Sequence, residues 1–491
     1  MPVLAMLLRS RRHYPLVFWA LLTLLALLSA ACGTSSPSVE DAAGEEEQIA
    51  GQSSVPVDSD RIEIRWFVGL GVGAQAEAIA AQEAVIEEFN QSQDIITLVA
   101  EFIDNSVAAD TLATQIAAGN PPDIIGPVGL EGANAFAGQY ADLDPLIAES
   151  GFDMSPYADT SEVYRTSTGA LEGIPFAVFP SAIFYNTELF EEASLPFPPS
   201  AYGEGGVSTY GEGTEFEGTW DWDKLAEISQ ILSVDANGAD ATAADFDAEA
   251  IEQFGFVHQW TSNPTSLGTS FGPGSVIAND GSAQIPDAWV ESYHWYQDLV
   301  HEANAAPNNA QLSSELLGGN AFGSGRVAMA SAHLWYTCCL ADSDGQQQDF
   351  WDLAALPSRD GEVISKFHGD TFRIHRDSEN PQLAFEVLTY FFEDAALPLL
   401  STYGGLPARE DIRDDYFAGL DEQFTQGVNW DVIVAGLDFP DVPNHQANLP
   451  NFLQSDSRIK QLEVPLLENA DFDIDAEVAA LEADLEAIWA G

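Results

Sequence analysis

Along residues 61–126, segments with the apolar pattern of a β-strand alternate with segments whose apolar residues have helical spacing. The run Arg61–Val68 is rich in branched and aromatic residues, as in a β-strand, and a glycine-rich loop comes after it. Residues Gln75–Asn90 carry apolar side chains at helical spacing. A strand at Ile95–Ile103, a helix at Thr111–Ala118 and a strand at Asp123–Gly126 are predicted next. This order favours a parallel sheet with right-handed crossovers, and therefore an α/β fold.

The glycine loop Gly69–Gly73 is open to a second interpretation, as a dinucleotide-binding turn. Its spacing is G-x-G-x-G rather than G-x-G-x-x-G, although Asp104 stands roughly where such sites carry an acidic residue. An exported protein rarely meets these cofactors. We therefore predict no cofactor.

The amino terminus has the layout of an export signal. A basic segment with three arginines precedes an apolar run over residues 16–31, which is short for a membrane span of about 20 residues. Leu28-Ser29-Ala30-Ala31-Cys32 resembles a bacterial lipobox, although Ser29 stands where the lipobox prefers leucine. We predict a lipoprotein signal peptide at 1–31 and a lipid on Cys32. A plain signal peptide and a signal anchor are the alternatives.

Residues 32–60 are dominated by serine, glycine, proline and acidic residues, without an apolar period. Such a composition is typical of a flexible acidic tether. Together with a lipid on Cys32, it predicts an extracytoplasmic protein anchored to the cell membrane. The sequence leaves open whether that location is a periplasm or a cell surface.

The charge balance excludes several classes of partner. Among 491 residues there are 78 Asp and Glu against 16 Lys and Arg, which gives a net charge of −62. Lysine occurs only at Lys224, Lys366 and Lys460. Nucleic acid binding needs clustered cations and is excluded, and strongly anionic ligands are disfavoured. The acidic residues are spread along the chain, which is typical of a folded surface in saline surroundings or of an acidic lineage bias.

Two features raise the question of a metal site. Cys338 and Cys339 are adjacent and have no other partner within the body of the chain, so they form a vicinal disulfide or stay as thiols. His333 lies nearby, but a metal site needs more ligands at suitable spacing. Asp235–Asp240 lacks the glycine position and terminal Glu of a calcium loop and is interpreted as a turn. We predict no metal site.

Six short motifs occur in order along residues 61–460. They are Leu112–Ile125, Gly173–Phe190, Thr219–Leu225, Phe322–Met329, Asn380–Leu388 and Gly404–Arg409. Each has a local structural explanation, such as a helix stop or a glycine turn. In this order and spacing they resemble the family 1 extracellular solute-binding proteins, the sugar-binding components of ABC importers, of which the maltose-binding type is best known.

The resemblance implies an α/β fold of the type II periplasmic-binding-protein class, with two lobes, hinge strands and a ligand cleft between them. The hinge crossings are expected near Val178–Ser181, after Trp351–Leu356 and near Phe372–His375. The expected boundaries are an N-lobe of 61–178 plus 357–373 and a C-lobe of 182–356 plus 374–491.

The resemblance also implies a function. The protein would capture a carbohydrate, close around it and deliver it to the transmembrane subunits of an ABC permease, without making or breaking a bond in the ligand. It would act as a monomer and not as an enzyme. A binding protein for a non-sugar solute is the alternative within the family.

Carbohydrates need aromatic planes for their CH faces and fixed polar groups for their hydroxyls. Loop ends after parallel strands are where such sheets place ligands, and Asp is suited to binding two vicinal hydroxyls. Core packing is the competing explanation for each aromatic residue taken alone. The predicted ligand-binding residues are Gly71, Pro127, Glu131, Phe179, Trp260, Trp335, Asp370 and Arg409.

Two other classes of protein have weaker support in the sequence. A secreted carbohydrate-active hydrolase needs two carboxylates at a fixed separation, and with 78 acidic residues the presence of such a pair carries no information. The chain has no G-x-S-x-G or H-E-x-x-H motif. A structural surface protein would be expected to show repeats or low complexity, which are absent beyond residues 33–60.

Overall fold

The computed structural model describes residues 61–157, 165, 169–341, 347–442 and 449–490. The predicted signal peptide, Cys32 and the tether lie outside these described residues. Within the described ranges, no helix combines the length and the apolar character needed to cross a membrane.

The strands are short except for one. They are β1 Ile62–Val68, β2 Ile96–Phe102, β3 Ile124–Val128, β4 Ile174–Asn186, β5 Thr209–Tyr210, β6 Gly218–Thr219, β7 Val234–Asp235, β8 Ile251–His258, β9 Val327–His333, β10 Trp351–Ala354, β11 Ser358–Arg359, β12 Glu362–Val363, β13 Phe367–Ile374 and β14 Leu406–Pro407.

The helices lie between and after these strands. They are α1 Ala76–Ser92, α2 Asn105–Ala117, α3 Leu130–Ala135, α4 Asp144–Ser150, α5 Thr187–Glu192, α6 Trp222–Ile231, α7 Pro264–Thr269, α8 Asp287–His301, α9 Asn309–Leu312, α10 Pro381–Phe392, α11 Ala396–Tyr403, α12 Arg413–Gln423, α13 Asp431–Gly436, α14 Phe452–Lys460, α15 Glu463–Glu468 and α16 Ile474–Ala490. Single 3₁₀ turns occur at Ser155–Tyr157 and Glu410–Ile412, and a longer one at Leu334–Cys339.

The predicted βαβαβ segment is present. β1 pairs in parallel with β2 along its whole length and with β3 near its carboxyl end. Helix α2 begins at Asn105, six residues before its predicted start, because the Asp104 carboxylate accepts the Ser106 N–H and caps the helix. Asp104 is therefore a helix cap here, which gives the dinucleotide interpretation of the glycine loop no support.

The long strand β4 connects two halves of one sheet, whose order is β2-β1-β3-β13-β4-β9-β8-β7. Residues 174–180 of β4 pair with β13, and residues 181–185 pair with β9. All thirteen residues of β4 are buried. We call the half with β1, β2, β3 and β13 the first lobe and the half with β7, β8, β9 and β10 the second lobe.

Helices α10 and α11 pack on the first lobe. The Phe391 ring centroid lies 4.6 Å from that of Trp66 on β1, and the Tyr403 hydroxyl donates to Gln82 Oε1 on α1 at 2.8 Å. This packing differs from the predicted boundaries, which assigned 374–491 as a whole to the C-lobe. The physical reason is that the apolar face of α10 covers the sheet face formed by β1 and β13.

Residues 358–363 pack on the second lobe, although they were predicted to belong to the N-lobe. Arg359 forms ion pairs with Asp223 on α6 and Glu291 on α8, and the Ser358 N–H donates to the Trp220 carbonyl oxygen just before α6. The chain therefore passes to the first lobe just before β13, later than predicted. Helices α14–α16 return to the second lobe, where Ile459 and Leu481 join its core.

The predicted turn at Asp235–Asp240 is organised by its first acidic residue. The Asp235 carboxylate accepts the N–H groups of Asn237, Ala239 and Asp247 at 2.8–3.0 Å. Asp235 is buried by this loop, and its oxygens are used in shaping the backbone.

Candidate functional site

Asp370 lies on β13 where the loops that follow β1 and β3 converge. Its Oδ2 accepts the Val72 N–H at 3.1 Å. A Cβ on Gly71 would overlap this carboxylate and lie 2.7 Å from the Pro127 carbonyl oxygen, so only glycine allows this close approach. Burial raises the pKa of Asp370 to about 6, against the opposing effect of the Val72 hydrogen bond. Three predicted site residues, Gly71, Pro127 and Asp370, therefore meet at one point.

Trp260 and Trp335 come together on the second lobe. Their rings are nearly parallel, at an interplanar angle of 9° and a centroid distance of 6.0 Å. Trp260 is 51% exposed, and its Nε1 donates to the Gly319 carbonyl. Its backbone has a φ of 55°, which is uncommon for a bulky residue and is found mostly at functional sites. Trp335 is partly buried against the hydrophobic core, and Trp260 extends the aromatic surface of the pair towards solvent.

The rings of His368 and His333 lie between Asp370 and the tryptophan pair. His368 is paired across the sheet with Phe179, and its ring lies edge-on to that of His333 at 4.3 Å. His333 Nδ1 donates to the Phe179 carbonyl oxygen at 2.8 Å, and the His333 ring stacks on Trp335 at 6.1 Å. The candidate site is therefore continuous across the junction of the two lobes.

The registers show which side chains share one face of the sheet. Directly paired residues point to the same side, and so do residues two apart along a strand. Asp370 is paired with Ala177 and His368 with Phe179, and Lys366 hydrogen bonds to Ser181 in the same register. Lys366, just before β13, and His368 and Asp370 on it therefore form one polar line. The line runs from the point where β4 passes between the lobes to the loops of the first lobe.

Two predicted ligand residues are engaged in protein contacts. The Phe179 side chain is 1% exposed and packs beside Gly405, so it supports the site from inside the core. The Glu131 carboxylate accepts a hydrogen bond from Lys460 Nζ at 2.9 Å. A ligand contact by either residue stays a prediction.

Arg409 is directed elsewhere. Its guanidinium forms two hydrogen bonds with the Asp411 carboxylate, at 2.6 and 2.9 Å, and donates to the Phe392 carbonyl oxygen. Tyr157 is its other neighbour. These contacts join it to none of the other predicted site residues, so its role in ligand binding also stays a prediction.

The sulfur atoms of Cys338 and Cys339 are bonded to each other. Of the two states that the sequence left open, the structure contains the vicinal disulfide. The pair ends the 3₁₀ turn that begins one residue before Trp335, and Asn320 Nδ2 donates to the Cys339 carbonyl oxygen at 2.9 Å. The disulfide therefore belongs to the turn that carries the tryptophan.

The predicted site residues do not include the polar side chains that accompany Asp370 on this face. Lys366 and His368 lie at alternate positions before it, at the start of a strand that is mostly buried. Alternating polar residues in a buried strand indicate a polar face inside the protein, and this signal could have found them. His333 gave the same signal at the end of the apolar strand β9.

Solved structures of similar fold include an ABC substrate-binding protein, Lmo0181 of Listeria monocytogenes, in complex with cycloalternan. It shows 18% identity over 87% of this chain and 99% of its own, with a TM-score of 0.63. The GacH receptor of Streptomyces glaucescens, solved unliganded and with acarbose, shows 16% identity over 88% and 99%, with a TM-score of 0.62. Maltose-bound MalE3 of T. maritima shows 17% identity over 87% and 100%, with a TM-score of 0.62. No curated protein sequence matches the chain.

The predicted fold class is confirmed by these likenesses, since all three structures belong to two-lobed α/β binding proteins. The family model described as "Bacterial extracellular solute-binding protein" matches residues 74–397, about two thirds of the chain. This confirms the resemblance that the six motifs indicated. The chain belongs to the family of bacterial extracellular solute-binding proteins.

Proposed function

We propose that this protein captures a carbohydrate between its two lobes and delivers it to the permease of an ABC importer. The observation that carries the proposal is the arrangement of the Trp260–Trp335 pair and the Asp370 carboxylate on one continuous surface at the lobe junction. Aromatic faces suit the CH faces of sugar rings, and a fixed carboxylate suits two vicinal hydroxyls. The site thus offers both kinds of contact.

The family and the solved structures support this choice of ligand class. The family consists of solute-binding proteins. The three structures named above were solved with cycloalternan, acarbose and maltose, all of which are carbohydrates. A non-sugar solute is the weaker alternative, because two tryptophans at the site favour a ligand with ring faces.

The mechanism follows from the hinge. β4 runs through both lobes, pairing with β13 in the first and with β9 in the second, so a small rotation about it opens and closes the junction. A ligand that contacts Asp370 on one side and Trp335 on the other is bound more tightly by the closed form and shifts the population towards it. The closed form is the one presented to the permease, and the ligand leaves unchanged.

The same proposal places the protein outside the cytoplasm, as a monomer tethered by a lipid on Cys32. A Cys32→Ser variant expressed in the native host should be released from the membrane fraction, and the wild type should remain in it. Retention of the variant would instead indicate a signal anchor.

The first experiment is a thermal-shift screen of the purified protein against neutral sugars, polyols, sugar acids and peptides, at low and high salt. A ligand that binds only the native state raises the melting temperature according to RT ln(1 + [L]/Kd). We expect a shift with one class of sugar, which chromatography recovers intact. A shift with peptides alone would replace the carbohydrate by another solute, and recovery of a cleaved sugar would favour the hydrolase.

A further inference from the structure

Several polar side chains of the second lobe lie on the same face of the sheet as His333, whose ring stacks on Trp335. Ser331 precedes His333 by two residues on β9, and His258 on β8 is paired with Ser331. Lys366 directly precedes β13, and its backbone N–H donates to Ser181 Oγ on β4, which is paired with His333 on β9. The relative exposure of Lys366, His258 and Ser331 is 1%, 3% and 0%. We call these three residues the buried polar cluster.

The buried polar cluster contains atoms without hydrogen-bond partners. Among the described residues, Lys366 Nζ, Ser331 Oγ and both ring nitrogens of His258 accept or donate no hydrogen bond. Native proteins satisfy the large majority of their buried polar atoms, and an unsatisfied buried cation is the most costly case. Several such atoms on neighbouring strands therefore indicate a site for a group that the chain does not provide.

The carboxylate whose charge acts on Lys366 is that of Asp441, and it accepts a hydrogen bond from another residue. Asp441 Oδ1 accepts the Phe367 N–H at 2.9 Å, and within the described ranges Lys366 Nζ has no hydrogen-bond partner. Burial lowers the pKa of Lys366 to about 8, and Asp441 opposes the shift. Lys366 is therefore still mainly a cation at neutral pH.

His258 is neutral beside it. Burial, aided by the charge of Lys366, holds the pKa of His258 well below its usual range. The strand registers place both residues on one face of the sheet, because His258 is paired with Ser331 on β9 and Lys366 is hydrogen bonded to Ser181, which is paired with His333 on the same strand. His333 and His368 border the cluster on the side of the tryptophans. Lys366 is thus the one cationic side chain of the cluster.

The unsatisfied groups are mostly donors. The ammonium group has three N–H donors and no acceptor, and a serine hydroxyl and a neutral imidazole contribute one donor each. The matching ligand group is one that only accepts hydrogen bonds and carries negative charge. A carboxylate fits better than a phosphate, because the single cation of the cluster can balance the one negative charge of a carboxylate. The second charge of a phosphate would stay unbalanced in a protein whose net charge is −62.

We infer that the captured carbohydrate is a sugar acid, whose carboxylate binds Lys366 with help from Ser331 and His258 while its ring lies against Trp335. This inference rests on the proposed function and names the ligand class. The overall negative charge disfavours the long-range attraction of anions, whereas Lys366 acts only at contact.

The test compares each acid with a neutral form of the same sugar. Calorimetry is performed on the purified protein with glucuronate, galacturonate and α-1,4-linked di- and trigalacturonate, each against its methyl ester and the corresponding neutral sugar. We expect at least one acid to bind about tenfold or more tightly than its ester, as a charge-assisted hydrogen bond allows. Lys366→Met should remove this preference, since it keeps the side-chain length without the charge.

Lys224→Met is the matched control. Lys224 pairs with Glu227 on the surface of α6, so its loss should leave the preference intact. Equal binding of acid and ester, or tighter binding of neutral sugars, by the wild type would overturn the inference and leave the proposed function standing. Failure of every sugar to bind would count against the proposed function itself. If Lys366→Met does not fold, the comparison of acid and ester binding by the wild type still tests the inference.

Discussion

Lys460 Nζ lies 2.9 Å from Glu131 Oε1 and thereby joins the end of α14 on the second lobe to α3 on the first. The same nitrogen lies 2.8 Å from Asp456 Oδ2, one helical turn earlier on α14. The side chains of Glu131 and Lys460 are 50% and 41% exposed, so this is a surface ion pair. Its position between the lobes, rather than its strength, makes it relevant to closure.

The first prediction concerns this interlobe pair. Lys460→Met should shift the lobes towards the open form and raise Kd for the transported ligand up to about fivefold, the range of an exposed ion pair. The effect should shrink at high salt, because salt screens the wild-type pair. Calorimetry at two salt concentrations measures both changes.

The control for that variant is Lys224→Met, which breaks an ion pair within α6 alone. It should leave Kd and its salt dependence as in the wild type. Identical Kd values for Lys460→Met and the wild type at low salt would show that the pair does not contribute to closure.

The second prediction concerns the aromatic pair. Trp335→Ala should raise Kd for the carbohydrate about tenfold or more, because it removes a stacking surface that Trp260 cannot replace alone. Trp335→Phe keeps a ring and should lose less. Calorimetric titration gives Kd for the wild type and for the two variants. Equal Kd values for all three proteins would show that Trp335 does not contact the ligand.

The third prediction concerns the protonation of Asp370. Its pKa is about 6 in the native state against an ordinary value of 3.8, so the native state holds the proton more tightly than the unfolded chain does. The free energy of unfolding therefore falls as the pH rises from about 4 to about 6. Asp370→Asn removes this loss and should be stabilised relative to the wild type by up to about 3 kcal/mol above pH 6.

Thermal unfolding at several pH values measures this difference, which should vanish near pH 4. Asp104→Asn serves as a control of opposite sign, because a hydrogen bond from Ser106 holds the pKa of Asp104 below its usual range. Its stability relative to the wild type should fall as the pH rises, and the change should be small at this exposed position. If the difference in unfolding free energy between Asp370→Asn and the wild type did not depend on pH, the raised pKa of Asp370 would be contradicted.

The fourth prediction concerns the close approach at Gly71. A Cβ there would overlap the Asp370 carboxylate and crowd the Pro127 carbonyl oxygen, so Gly71→Ala should destabilise the protein by about 1–3 kcal/mol and weaken ligand binding. Gly419→Ala is the matched control, because Gly419 lies within α12 with open space around it. That variant should be neutral or more stable by up to about 1 kcal/mol. Denaturant unfolding compares them, and equal effects would exclude the clash.

Local patterns determined much of this protein. The alternation of apolar residues predicted the parallel βαβαβ start, because a strand or a helix buries one side according to its own period. The six ordered motifs indicated the family and the two-lobed fold. Five of the eight predicted site residues, Gly71, Pro127, Trp260, Trp335 and Asp370, lie on or beside one continuous surface.

The tertiary structure decided what these patterns could not express. The sequence of helix α10 predicts an apolar face but does not say which lobe that face covers. The contacts of Phe391 with Trp66 and Phe372 assign the helix to the first lobe. Lys366 gains its surroundings from Ser181 on β4 and, through the pairing of Ser181 with His333, from β9, which are distant along the chain. Periodicity reports how a residue faces its own element, whereas the register between distant strands is set by the packing of the whole sheet. The choice of neighbours, and with it the chemistry of the site, therefore depends on the folded chain.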